Sequence, residues 1–184
     1  MNNAPRTYQR LPAPGSEEEI RAAERKLGIN MPADLRAFYL LHNGTGLATD
    51  FEAPVEDRCA YFLPGGRGAA PVAVLPTWLG GPVPIAAEAN GGQILMAFTA
   101  TDPDVVYGEF IDCTPGTGYG QVGTYEEIGL LSVTFRSFAD YLCELADTLC
   151  GDKRCFDPRD RWSRVYLPVV QDGVLSWNSG PRQP

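Results

Sequence analysis

Between Gly46 and about Leu131 the chain breaks into short apolar runs separated by glycine and proline, which limits the possible folds more than any other feature. Candidate strands are Ala60–Leu63, Pro71–Leu75, Val83–Ala87, Ile94–Thr99 and Val105–Asp112. Ala89-Asn90-Gly91-Gly92 separates two of them with the composition of a hairpin turn, because asparagine and glycine tolerate the positive φ that tight hairpins require. A parallel βαβ crossover needs about a dozen or more residues between strands, usually helical. Short strands with tight turns therefore predict an antiparallel sheet.

Helical signals flank this region. Ser16-Glu17-Glu18-Glu19 is a capping box, with three carboxylates at the positive end of the helix dipole. Ile20, Ala23 and Leu27 follow at helical spacing, and Gly28 supplies a left-handed cap. Pro32 suits the first position of a second helix with an apolar face of Leu35, Phe38, Tyr39 and Leu41, stopped by Asn43-Gly44. Thr134 is the expected cap of a third helix, in which Phe138, Leu142, Leu145 and Leu149 form one stripe and Gly151 is the stop. Pro5, Pro12, Pro14 and Gly15 predict an extended arm over residues 1–15. At the other end, Val165–Val170 and Val174–Trp177 flank Asp172-Gly173, a hairpin signal.

A length of 184 residues fits one domain with a core large enough to need no disulfides or metals. No apolar run approaches the ~18 residues of a membrane helix, and the first fifteen residues hold no signal-peptide stretch. The expectation is a soluble, cytoplasmic protein. A net charge of −8 argues against nucleic acid and anionic membranes as ligands and suits a basic protein partner, although it also serves plain solubility. Cys59, Cys113, Cys143, Cys150 and Cys155 show no C-x-x-C spacing, so reduced, partly buried thiols are expected.

Catalytic patterns are weak. Gly118-Tyr119-Gly120-Gln121-Val122-Gly123 matches G-x-G-x-x-G, but Glu126 and Glu127 follow where phosphate would sit, so it reads as a surface loop. His42, the one histidine, falls at the end of the second helix, where it is expected to bond the last carbonyls. Carboxylate-only chemistry has no fixed spacing and stays open at this point. No cofactor and no metal are expected. Asn43-Gly44-Thr45 is a formal glycosylation sequon that a helix stop explains better.

Two stretches suit a binding surface. Asp50, Glu52, Glu56 and Asp57 crowd into one segment, and Trp78 sits in Pro76–Gly81, with Glu88 beside the Ala89–Gly92 turn counted among them. The plainer reading of the same residues, which takes precedence on sequence alone, is a solvated acidic loop and a Trp78 folded into the core.

The order of these elements resembles a known family. Gly15–Ile20, Glu24, Leu27-Gly28, Met31-Pro32, Leu35, Phe38 and Asn43-Gly44 are similar to the opening of SUKH domains, with Met31 in place of the usual leucine. Val83–Ala86 through Asn90-Gly91 and Ile94–Phe98 look like the family's central hairpin, and Thr134–Phe138 with Tyr141-Leu142 its closing helix. The resemblance implies an α+β fold: a twisted antiparallel sheet with about three helices packed around it, here with a C-terminal β-hairpin extension. The expected organisation is an arm over 1–15, a SUKH-like domain over 16–150 and an extension over 151–184. It also implies a non-catalytic protein, since bacterial members are largely immunity proteins that neutralise toxins and fungal members include a regulator of cell-wall glucan synthesis. The expected partner is a toxin domain with a basic surface. A regulatory or scaffold module binding a host protein is the alternative, and an unrecognised enzyme a distant third.

Overall fold

The computed structural model describes residues 4–45, 67–73, 75, 83–84, 93–100, 108–116, 118–125, 132–150, 155–156 and 165–179. The proline-bearing start of the chain is helical rather than extended: Pro5–Gln9 forms α1. Nothing local caps this helix. Ala4 at its N-cap offers no side-chain acceptor, and the N–H groups of Arg6 and Thr7 instead donate to Gly173 O at 3.0 and 3.3 Å. Proline at the first position needs no partner. An acceptor brought in from the far end of the sequence makes the helix possible, so local composition pointed the wrong way.

The next two helices follow their own signals. In α2 (Glu17–Leu27) the Ser16 hydroxyl accepts from Glu19 N at 3.2 Å, and the Glu19 carboxylate accepts from Ser16 N at 2.7 Å. The Ser16 N–H, with the Ser16 hydroxyl also donating to Glu19 Oε2 at 2.9 Å, lowers the Glu19 pKa from its ordinary value. Gly28 closes the helix at φ +67°, and Ile20, Ala23 and Leu27 are buried. In α3 (Ala33–Leu41) Pro32 is the cap residue rather than the first helical one, its carbonyl accepting from Arg36 N at 2.9 Å. Leu35 and Tyr39 are fully buried one turn apart, whereas Leu41 is 64% exposed. Two residues beyond Tyr39 is about 200° around the helix, which turns Leu41 off the apolar face.

A six-stranded antiparallel sheet follows: β1 (Arg67–Ala69), β2 (Val83–Pro84), β3 (Gln93–Ala100), β4 (Gly108–Asp112), β5 (Val122–Tyr125) and β6 (Ser132–Phe135). Its order is β1-β3-β4-β5-β6, and β2 also pairs with β3. Because Ile94 pairs with both Val83 and Asp112, and Phe98 with both Ala69 and Glu109, β1 and β2 share the edge of β3 opposite β4. The predicted strands at Ile94–Thr99, Val83–Ala87 and Val105–Asp112 correspond to β3, β2 and β4 as far as they are described. Pro71–Leu75 is not a strand: residues 72–73 form a turn, with Val72 and Leu75 buried. Ala60–Leu63 and Ala89–Gly92 lie outside the described residues.

Thr134 belongs to β6, where its hydroxyl donates to Val122 O at 3.1 Å, so it does not cap the closing helix. That helix, α4 (Phe138–Cys150), is capped by Ser137, whose hydroxyl accepts from Asp140 N at 3.0 Å. Phe138 and Leu145 of the predicted stripe are buried, Leu142 and Leu149 pack against the core from its margin, and Tyr141 and Thr148 widen the face. A separate sheet, β7 (Cys155–Phe156), β8 (Val165–Gln171) and β9 (Val174–Ser179), contains the C-terminal hairpin. Asp172 at φ +51° and Gly173 at φ +78° give its turn the two left-handed residues of a type I′ hairpin.

The core lies between the helices and the six-stranded sheet, with Ile20, Leu35, Tyr39, Val72, Ile111, Val122 and Phe138 at its centre. Phe38 meets Phe138 edge-on at 5.3 Å, joining α3 to α4. Truncating Leu35 to alanine removes a side chain with no exposure. Urea unfolding of Leu35→Ala is expected to show a loss of about 2–5 kcal/mol with the denaturant slope unchanged.

Candidate functional site

The helical hairpin meets the sheet edge through a short seam. His42 leaves the helix in an extended conformation, its N–H still bonded to Phe38 O at 2.8 Å. Asn43 Oδ1 accepts from Val72 N at 2.8 Å, and Tyr39 OH donates to Ala70 O at 3.1 Å. Thr45 then pairs with β1 twice: its N–H donates to Ala69 O and its hydroxyl accepts from Ala69 N, each at 2.8 Å. Gly44 sits between at φ +80°, where a Cβ would run into Ala69 O and come within 2.9 Å of Ala70 C. Asn-Gly is therefore more than a helix stop. Its asparagine satisfies a backbone donor of the strand region, and its glycine lets two backbones touch.

This seam fixes the base of the acidic stretch. Segment 46–66 begins beside Thr45 and ends at Arg67, two points held together by the Thr45–Ala69 pair. Asp50, Glu52, Glu56 and Asp57 belong to it and lie outside the described residues, as do Trp78 and Glu88. The sheet register shows where each segment attaches. Arg67 pairs with Ala100, Thr99 with Gly108, and Gly108 with Tyr125. Segments 46–66, 101–107 and 126–131 thus all attach at one end of the sheet. Besides the four predicted acids they hold Asp102, Asp104, Glu126 and Glu127, against one basic residue, Arg58. Glu88 lies in segment 85–92, which joins Pro84 to Gln93 at the opposite end of β3, roughly 20–25 Å away along an eight-residue strand. Trp78 lies in segment 76–82, leading into β2 at Val83. The segment that holds the four predicted acids and the segment that holds Glu88 therefore attach at opposite ends of β3. Asp102, Asp104, Glu126 and Glu127 were invisible as companions in the sequence, because only strand register relates connections so far apart along the chain.

One network of described charges serves the fold. Arg36 bonds Glu24 at 2.8 Å and also pairs with Glu17, while the other oxygen of Glu24 accepts from Met31 N at 2.9 Å. The Glu24 hydrogen bond raises the Arg36 pKa above its ordinary value. This network ties α2 to α3 and holds the connector between them. His42 does not bond the last helical carbonyls as expected. Its Nδ1 faces Pro12 O at 3.1 Å, and since a carbonyl only accepts, the ring presents Nδ1–H there. The G-x-G-x-x-G stretch turns at Gly118–Gly120 and enters β5, so a strand stands where a dinucleotide site requires a helix. It is less superficial than a surface loop, since Gly120, Val122 and Gly123 are buried, though Tyr119 stays 39% exposed with its hydroxyl donating to Asn30 O at 3.2 Å. Cys113 is buried, which pushes its thiol up to about 12, while Cys143 and Cys150 are exposed and free. Among the described residues no group of histidine, cysteine and carboxylate side chains could hold a metal ion, and no helix is long and apolar enough to cross a membrane.

Compared with known families, residues 14–144 match the model of the SMI1 / KNR4 family (SUKH-1). The chain belongs to this family. A search of curated proteins finds no match. The SMI1 / KNR4 match takes in α2, α3, the six-stranded sheet and the first half of α4, and thus the whole seam. The α1 helix and the second sheet lie outside it.

Two outcomes follow from these contacts. Gly44→Ala forces a Cβ onto the β1 backbone at a left-handed position, and thermal or urea unfolding is expected to show a loss well beyond the ~1 kcal/mol of a conformational penalty alone. For the thiols, iodoacetamide at about pH 8 is expected to modify Cys143 and Cys150 in the native protein and Cys113 only after unfolding. Because the folded pKa of Cys113 lies above its ordinary 9.0, the unfolded thiol ionises first. Its contribution to stability is complete below about pH 9 and is lost as pH rises toward 12, a decline that Cys113→Ala is expected to lessen.

Proposed function

We propose that this SMI1 / KNR4 family member is a non-catalytic immunity protein that neutralises a toxin by direct binding through the acidic end of its sheet. The observation that supports the reading is that segments 46–66, 101–107 and 126–131, whose sequences hold Asp50, Glu52, Glu56, Asp57, Asp102, Asp104, Glu126 and Glu127, all attach at the same end of the six-stranded sheet. Carboxylates gathered at one end of a chain of net charge −8 produce a negative field that steers a basic partner into register. An interface of about 1,600 Å² would be ordinary for such a pair. Where the toxin's own substrate is a nucleic acid or nucleotide, the carboxylates stand in for phosphates and occlude the basic channel. Trp78 and Glu88 belong to segments that attach toward the opposite end of β3 and are not needed for this arrangement. Inhibition is steric and electrostatic, with no bond made or broken and no cofactor, and the protein acts in the cytoplasm.

The partner is sought by pull-down of the tagged protein from its host with identification by mass spectrometry. One stoichiometric partner carrying a toxin domain supports the reading. Recovery of a host regulatory protein instead would turn it toward the scaffold role. With the toxin in hand, stopped-flow association is compared for wild type and the combined Asp50→Lys, Glu52→Lys, Glu56→Lys, Asp57→Lys variant. The variant is expected to associate about tenfold or more slowly at low salt, with the difference shrinking as ionic strength rises. Equal rates at all salt concentrations would sink the role of the acidic end.

A further inference from the structure

The two pieces of chain beyond the family match hold each other. α1 has no cap of its own, and its first free N–H groups, on Arg6 and Thr7, are satisfied by Gly173 O in the β8–β9 turn. In return, Thr7 Oγ1 accepts from the buried N–H of Leu175 at 2.8 Å. The hairpin closes at Gln171 and Val174, so Leu175, opposite Val170, is the next pair along and points its N–H away from β8 toward the outer edge of β9. α1 occupies that edge. Gly173 has no side chain to obstruct the fit, since a Cβ there would lie 3.3 Å from the Pro5 ring. Leu175 is buried without belonging to the main core. The other side of α1 meets the family domain: the Tyr8 ring stands edge-on to His42 at 5.9 Å, and His42 Nδ1–H bonds Pro12 O just beyond the helix. Asn43 N donating to Ala13 O at 3.0 Å and Gly15 N donating to Tyr39 O at 2.9 Å carry the connection into α3.

We propose that α1 is a strap that fastens the C-terminal hairpin to the family domain through His42, and that strap and hairpin open together as one unit, independently of the core. Each element supplies what the other lacks, an acceptor for the helix and an edge cover for the strand, so neither is stable alone. A helix of five residues is far too short to persist without tertiary partners. Among the described residues the hairpin has two further holds: Trp177 packs partly buried against the core, and β8 pairs with β7, which lies against α4. Such a weakly held peripheral unit opens at lower free energy than the interior does.

Native-state amide hydrogen exchange on the full chain tests this with two substitutions. Thr7→Val keeps the side-chain shape and removes the acceptor for Leu175 N. His42→Ala removes the ring at the other end of the strap. Each is expected to accelerate exchange over residues 5–11 and 165–179 together, by about tenfold or more, and to leave α2 and α3 unchanged. A Thr7→Val effect confined to the Leu175 amide would overturn the proposal by making the contact purely local. So would a hairpin indifferent to His42→Ala. Equal acceleration across α2 and α3 would also overturn it, since strap and core would then be one cooperative unit.

Discussion

The close approach of Gly44 to the backbone of β1 is the contact on which the rest of the molecule depends. With no Cβ and a left-handed backbone, the chain passes against Ala69 and Ala70 closely enough for Asn43, Thr45 and Tyr39 to bond that strand region on both sides. Those four bonds satisfy eight polar groups at once, which makes the junction stiff and particular in geometry. Helices α2 and α3 are in turn locked to each other by Arg36, Glu17 and Glu24, so the whole helical hairpin is carried on the sheet edge as one piece.

Sheet register does for the surface what the seam does for the core. Antiparallel pairing returns the chain to the same end after every second strand, and the connections at that end are the ones that carry the acids. The frame of seam and strand pairing keeps the attachment points of these segments together. The family match covers this frame, whereas the strap and hairpin are additions around it.

Much of the frame was legible residue by residue. Ser16 and Glu19 cap α2 as their spacing required, Gly28 takes the left-handed conformation, Asp172-Gly173 makes the hairpin turn, and Ile94–Thr99 forms the centre of β3. In each case the deciding interaction lies within a few residues, where local chemistry is sufficient. The misreadings share the opposite property. α1 depends on a carbonyl from Gly173, and Thr134 was drawn from capping into a strand by pairing with β5. β5 itself, Val122–Tyr125, is four residues long and contains a glycine, too short and too weak in propensity to stand out without its neighbours. The acidic segment at Asp50–Asp57 was visible as a run of charge, but its companions at Asp102, Asp104, Glu126 and Glu127 were not, because nothing local relates them.

By itself, then, the amino-acid sequence determined the helical hairpin with its stops, the antiparallel character of the central sheet, the closing hairpin and the acidic balance. These follow from capping, periodicity, turn chemistry and composition, each a property of neighbouring residues. Only the tertiary structure decided that Asn43-Gly44-Thr45 is a seam, that the acidic connections attach at one end, and that α1 exists at all. All three rest on hydrogen bonds or strand pairings between residues distant in the chain, whose partners come within reach only when the core has closed.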